Sequence, residues 1–481
     1  MEHTSSQVTI GYLGAHLETY YAEEYNLFNE SIQGLSELSD ELEFNLISSD
    51  SPIVSAKQAE TEIEKMISQG VDFLILHHAT FLMGDIVRSV AKYGVPLGLW
   101  THPEPTTEGA ILLNGFVSID MSASIIKRYL KDDAIKYKWF YGSTKHSWLR
   151  DRLKITISAL RAKKSLKNGT VALVGGIAPT FYNFTFDERR ISDSIGLKVF
   201  HHELKEILDR VKGIDPVRVK KITEAIKKRT NNRVLVSEAD LNMSASVYAA
   251  LKDFSGDHGY TALAVSDWPI FQKELNIHPG FAFSWLEDQE KIPVASEGDV
   301  MGAATMILMN SISQKESYLL DMAAINTEQN AMLMWHCGGS PLNLADESGV
   351  ECINHSTLGR KIPNGRVTGA VANLVFREGP VTVSRLSDDG SVLFSFDAKV
   401  EKNSSKGYEG CRGWITNFTA KGQNLSLGDL VSTVFDEGLE HHFGLVEDQW
   451  SDAIEEWSYW VGSRSISPTK YTNGRATTVR F

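Results

Sequence analysis

The chain has 481 residues, 42% of them hydrophobic and 23% charged, with a formal net charge of −13. That length suggests two or three domains, the composition argues against large-scale disorder, and the acidic balance argues against a nucleic-acid or anionic-membrane partner, since both want a basic face. Three scattered cysteines, Cys337, Cys352 and Cys411, with no CxxC spacing, fit neither a disulfide framework nor a structural zinc site. No apolar run approaches the ~20 residues that span a bilayer. The N-terminal MEHTSSQVTIGYLG lacks a charged and then apolar leader, so a soluble, cytoplasmic protein is expected.

VTIGYLG (8–14) reads as a buried strand running into a glycine turn. A helix is expected from about Tyr21 to Ser39, a strand at 42–49, and an amphipathic helix over 55–70 stopped by Gly70. VDFLILHH (71–78) is a strand, GDIVRSVAKYG a helix closed by Gly94, and VPLGLW (95–100) the next strand. This alternation predicts a parallel sheet covered on both faces, Rossmann-like or flavodoxin-like. With no GxGxxG and no Walker motif, no nucleotide is inferred. His77, His78, Thr101 and His102 fall at strand C-terminal ends, where open α/β sheets meet their ligands. They are either solvated loop residues or, for one or two of them, groups that reach a substrate.

A basic helix (151–168) connects to a second α/β unit opening with TVALVGGIAPTFYNF (170–184). Its Gly175-Gly176 turn is a weak candidate for holding an anion. Strands are expected at 197–202, 261–268 and 292–299, with helices between them. From 365 to 402 apolar and polar residues alternate, with turn signals at REGP and DDGS. That pattern is antiparallel β, a small barrel or sandwich, continued by GCRGWITNF (410–418). EHHFGLVEDQWSDAIEEWSYWVG (440–462) reads as a strand and then a helix. The expected organisation is an N-terminal α/β domain over 1–169, a central α/β domain over 170–355 and a β-rich, barrel-like C-terminal domain over 356–481.

The chemistry concentrates between Pro293 and Pro341. Glu297 follows an apolar strand, PVAS, at the usual address of a ligand, while Asp299 suits the N-cap of the Gly/Ala/Met-rich helix that follows. Asp321 ends the apolar SYLLD, where a carboxylate is costly unless paired or metal-bound. His336 lies in MLMWHCGGSP, either as a satisfied core histidine or as a ligand. Of His441-His442, at most one faces a given site if the pair lies on a strand. Two carboxylates with one or two imidazoles suit Mn²⁺, Mg²⁺, Co²⁺ or Fe²⁺. Such a site can chelate two adjacent sugar oxygens, while the carboxylates remove and return a proton.

The segments EGDVMGAATMILM, LLDMAAINTEQN, WHCGGSP and EHHF, in this order, resemble the L-fucose isomerase / L-arabinose isomerase family of ketol isomerases. The resemblance is sharpest over 292–341 and 407–445. It implies an aldose–ketose isomerase working through a cis-enediol, with Mn²⁺ held by Glu297, Asp321 and His442, and by His336 if that residue binds metal rather than substrate. Glu297 and Asp321 would be the acid/base pair. Trp335, His441, Arg412 and Trp414 would contact a sugar: a pentose, a 6-deoxyhexose or a 6-substituted, for example sulfonated, hexose. Arg412 would serve an anionic substituent, unless it is a surface strand residue. The resemblance also implies a homo-oligomer, trimer or hexamer, whose sites borrow N-terminal residues such as His16, His77 or His102. An inactive sugar-binding relative, an epimerase or an aldolase are the alternatives.

Overall fold

All eight residues of the first strand, β1 (Val8–Ala15), are buried, as a parallel strand covered on both faces requires. The computed structural model describes residues 7–357, 369–403 and 405–474. Contacts divide the chain into two compact units, residues 2–164 and residues 165 onward. In the first, β1 joins β2 (Phe44–Ser48), β3 (Phe73–His78), β4 (Leu97–Thr101) and β5 (Tyr137–Tyr141) in an all-parallel sheet of order β2-β1-β3-β4-β5. This is the flavodoxin-like order, with its crossover between β1 and β3. The helix expected near 21–39 runs over Leu27–Leu42. A helix at Gly115–Tyr129 and strand β5 complete a region that the sequence patterns left unassigned.

His77 and His78 are fully buried within β3, so they are not solvated loop residues. His77 joins the Tyr12 hydroxyl (2.8 Å) to His102 (2.8 Å) and stacks on Trp100. Burial holds the His78 imidazole down at about 3 and His102 at about 4.

Among the described residues the second unit holds two sheets. A parallel one has the order β7-β6-β8-β9, from β6 (Thr170–Val174), β7 (Lys198–His202), β8 (Ala262–Val265) and β9 (Val294–Ala295). The other is a mixed sheet of ten strands. It contains β10 (Tyr318–Asn326), β11 (Ala331–His336), β12 (Glu351–Asn354), β13 (Gly369–Val375) and β14 (Gly379–Ser387). It continues with β15 (Val392–Val400), β16 (Cys411–Ala420), β17 (Gln423–Asn424), β18 (His442–Glu447) and β19 (Arg464–Ser465). Because β15 pairs with both β14 and β16, the pairings β16-β11-β10-β18-β14-β15 run round a closed circuit. Residues 365–368 of the expected β region lie outside the described residues.

β10 and β11 belong to this mixed sheet and not to the parallel one. Asp321 is therefore the fourth residue of a nine-residue strand and not a strand end. The helix Val300–Ser313, buried over nearly its whole length, packs against β6, β8 and β9 as well as β10, β14 and β18. It ties the two sheets together and carries Asp299 at its N-cap. Among the described residues no helix is long and apolar enough to cross a membrane.

Candidate active site

Antiparallel register assembles the first part of the site. Asp321 pairs with His442 on one side and with Trp335 on the other, and Trp335 pairs with Arg412. Directly opposed residues share a face, so these four form one row across β18, β10, β11 and β16.

Glu297 comes from the parallel sheet. It sits in the turn Ser296–Gly298 after β9, with φ 61° and ψ 11°. Its N–H donates to Asp267 Oδ1 (2.7 Å), and its carbonyl accepts from the Ala178 N–H (2.9 Å). Gly298, at φ 73°, lies so close to Gly176 that a Cβ would overlap the Gly176 carbonyl. The Gly175-Gly176 turn thus lets the end of β6 abut the Glu297 turn.

Around His442 the groups converge. The ring is 1% exposed. Its Nε2 lies 3.7 Å from Glu297 Oε2 and 3.7 Å from Asp321 Oδ1. Its Nδ1 lies 3.1 Å from Asp299 Oδ2. Arg385, itself fully buried, grips Asp299 through two contacts of 2.6 and 3.1 Å and also reaches Glu440 (3.1 Å). Phe184 stacks on the His442 ring at 5.0 Å. Asp299 additionally caps its helix by accepting the Gly302 N–H (2.7 Å), so the expected capping role is one of two.

Charge states follow from these contacts. Burial would raise the Asp299 carboxyl, but the Arg385 guanidinium and His442 hold it well below the usual range. Burial likewise pushes Asp321 up, helped by Glu297 and opposed by the two histidines. Burial lowers the His442 ring, yet the Asp299 hydrogen bond and the surrounding carboxylates leave it raised overall. Asp267, buried against Glu297, is pushed up to about 7.

His336 is 6% exposed. Its Nε2 meets Ser296 Oγ (3.1 Å), its ring lies 5.6 Å from that of His442, and burial lowers it to about 3. It is a neutral imidazole beside the cluster. His441 is partly exposed, with Nε2 3.3 Å from Glu297 Oε2 and Nδ1 3.2 Å from Asn183 Nδ2. Trp335 donates to the Glu409 carbonyl (2.8 Å). Trp414 packs with Ala331 and Leu333. Arg412 is not a surface strand residue. It is 8% exposed, its Nη1 donates to the Gly410 and Leu374 carbonyls and to Asn373 Oδ1, and its Nε donates to the Lys406 carbonyl. Its Nε and Nη1 donors are thus engaged within the protein.

The donor set fits a hard divalent cation. Asp321 Oδ1 is buried and has no hydrogen-bond partner, a costly state for a carboxylate oxygen. Donors on one ion at bonds of about 2.1 Å stand roughly 3 Å apart when adjacent. The 3.7 Å spacings around His442 Nε2 are too long for hydrogen bonds and close to that separation. Glu297, His441 and His442 also offer ligand atoms within 4.8 Å of one another. A second cluster, His278, Cys337 and His355, behaves differently. Both histidines accept backbone N–H groups at Nδ1 (3.2 Å each), so each neutral ring carries its proton on Nε2 and offers a donor in place of a metal ligand.

Sequence patterns missed Asp267, Ser296, Arg385, Asn183 and Phe184. Two left a trace: Asp267 closes the strand-like AVSD, the same address as Glu297, and Arg385 shares the strand face of Val381 and Val383.

No family model matches the chain. It is similar to curated proteins named sulfoquinovose isomerase. The one from Alkalicoccus urumqiensis is 25% identical over 397 residues, 81% of this chain and 84% of that protein. The one from Priestia aryabhattai is 22% identical over 70% of this chain and 73% of that protein. The one from Clostridium sp. (strain MSTE9) is 20% identical over 71% and 74%.

Proposed function

We propose that the protein is a metal-dependent aldose–ketose isomerase acting on a sulfonated sugar of the sulfoquinovose kind, in the manner of the fucose and arabinose isomerases. The observation that carries this is the convergence of Glu297 Oε2 and the unpartnered Asp321 Oδ1 on His442 Nε2, each 3.7 Å away. The names of the similar proteins support the reaction and the substrate class.

Glu297, Asp321 and His442 would hold Mn²⁺, with Mg²⁺, Co²⁺ or Fe²⁺ as substitutes. When bound, the cation supplies positive charge to the adjacent oxygens on C1 and C2 and so acidifies the proton on C2. The two carboxylates act as the acid/base pair. One removes the C2 proton and a proton is returned to C1, while the hydroxyl proton passes from O2 to O1. His336 stays neutral and offers hydrogen bonding without adding charge. The Phe184 face and Trp335 wall the sugar, and His441 orients Glu297. The homo-oligomeric state belongs to the same proposal and is read by light scattering.

The test incubates the full chain with Mn²⁺ and sulfoquinovose in deuterated water, followed by NMR. A sulfonated ketose should form and deuterium should enter C2 of the recovered aldose. Glu297→Gln should lose both signals while circular dichroism is unchanged. Binding without exchange would indicate a sugar-binding relative, and a fully active Glu297→Gln would remove the assignment.

A further inference from the structure

His441 and His442 are neighbours that face the same carboxylate, yet their other ring nitrogens meet partners of opposite character. His442 Nδ1 meets Asp299 Oδ2 at 3.1 Å. A carboxylate gripped by the Arg385 guanidinium is an acceptor, so this Nδ1 carries a proton, and in the neutral ring that a metal ligand requires Nε2 keeps its lone pair. His441 Nδ1 meets Asn183 Nδ2 at 3.2 Å. An amide NH₂ group is a donor, so this Nδ1 carries the lone pair and Nε2 the proton.

The far sides of the two rings agree with this assignment. His441 Nε2 stands 3.3 Å from Glu297 Oε2, within reach of an N–H···O⁻ bond. His442 Nε2 stands 3.7 Å from both Glu297 and Asp321, beyond hydrogen-bond length. A lone pair there points into the space between the carboxylates. Both rings pack on Phe184, His441 at 4.8 Å and His442 at 5.0 Å.

We infer that Asp299 and Asn183 are positioning residues that lock the adjacent histidines in opposite tautomers, making His442 Nε2 the metal-facing atom and His441 Nε2 a donor that orients Glu297. The roles rest on the isomerase reading; the tautomers do not. The pairing also explains how an HH dipeptide can serve one site from both members. His442 opens β18 and points inward, while His441 precedes the strand and approaches Glu297 from the Asn183 side.

Two variants invert one tautomer each. Asp299→Asn gives His442 an amide that can donate to Nδ1. Asn183→Asp gives His441 a carboxylate that accepts from Nδ1–H, which moves the ring proton to Nδ1 and turns the Nε2 lone pair towards Glu297. Calorimetric titration with Mn²⁺ in the absence of sugar should show Asp299→Asn binding about 10- to 100-fold more weakly, with Asn183→Asp weakened less, because it acts on Glu297 and leaves His442 Nε2 facing the metal. At saturating Mn²⁺, Asn183→Asp should lose tenfold or more in kcat. Long-range ¹H–¹⁵N spectra of histidine-labelled wild type with Mg²⁺ should show His441 and His442 protonated on opposite nitrogens, and Asn183→Asp should exchange the His441 pattern. Like tautomers in the wild type, or an Asn183→Asp protein that keeps the His441 pattern or weakens Mn²⁺ binding as much as Asp299→Asn, would overturn the inference. Should no sulfonated sugar turn over, the isomerase reading falls, and the spectra and the Mn²⁺ titration still decide the tautomers.

Discussion

Glu297 occupies the left-handed region at φ 61°, which costs a residue with a Cβ about 1–2 kcal/mol. Strain of this kind persists where neighbours over-determine it, typically at a functional site. Here the Asp267 carboxyl oxygen accepts the Glu297 N–H, and the Glu297 carbonyl accepts the Ala178 N–H. The strained turn places the carboxylate on the His442 side while the main chain leads directly into the buried helix. Asp267 should therefore matter as an acceptor. Asp267→Asn keeps an oxygen at the same position and should retain most stability and turnover. Asp267→Ala leaves a buried N–H unpaired, at a cost of about 1–3 kcal/mol, and should lose activity through a misplaced Glu297. Urea denaturation and turnover of the pair decide it: equal behaviour of the two variants would mean that the turn is held elsewhere.

The helix Val300–Ser313 is the element on which the site depends, because it meets strands of both sheets and its N-cap is Asp299. Gly302 lies in its first turn, and a Cβ there would come within 2.7 Å of Asp299 Cγ and 3.2 Å of Leu319 Cδ2. Helix propensity alone would favour Gly302→Ala by about 1 kcal/mol. Asp299 has no room to yield between Arg385 and His442, so overpacking should dominate and the variant should be less stable by about 1–3 kcal/mol. Weaker Mn²⁺ binding should accompany the loss; a Gly302→Ala protein more stable than wild type in urea would show that the carboxylate can move. The sequence revealed this element well. EGD before a Gly/Ala/Met run marked both the cap and the strand-end glutamate. Asp321 was harder, because aspartate is depleted in strands and reads as a terminator, whereas here it lies in mid-strand, opposite His442. Register across β18, β10, β11 and β16 is a long-range property, and no local period reveals which strands pair. That is also why the contacts of Arg412 with the 406–410 loop and Asn373 were not legible in its GCRGW setting.

At the scale of the molecule, the period of short apolar strands and amphipathic helices was enough to read the first parallel sheet, but not the burial of His77 and His78 inside it. Those rings are part of how the protein responds to acid. Burial holds His78 at about 3 and His102 at about 4, and takes His77 well below its ordinary 6.5. In the folded state these rings stay neutral down to their depressed values. In the unfolded chain they take up protons as the pH falls through 6.5. Between 6.5 and about 4 the unfolded state therefore binds more protons, and stability falls as the medium is acidified. Each unit of depression is worth about 1.4 kcal/mol, so the combined loss is on the order of several kcal/mol. Asp267 works in the opposite sense. Its carboxyl, raised to about 7, keeps a proton in the folded state that the unfolded chain has released, so it penalises folding as the pH rises from its ordinary value towards 7. Burial also raises Glu287, Asp321 and Glu455, and also lowers His278, His336 and His355; six depressed imidazoles oppose four raised carboxyls, and the imidazoles should prevail. The melting temperature of the metal-free protein should drop between pH 7 and pH 4.5. His102→Gln, which removes one buried ring, should flatten that slope even if it lowers stability at pH 7. A melting temperature that held level or rose on acidification would mean that the histidines of the first sheet are reached by water or already share protons in the folded state.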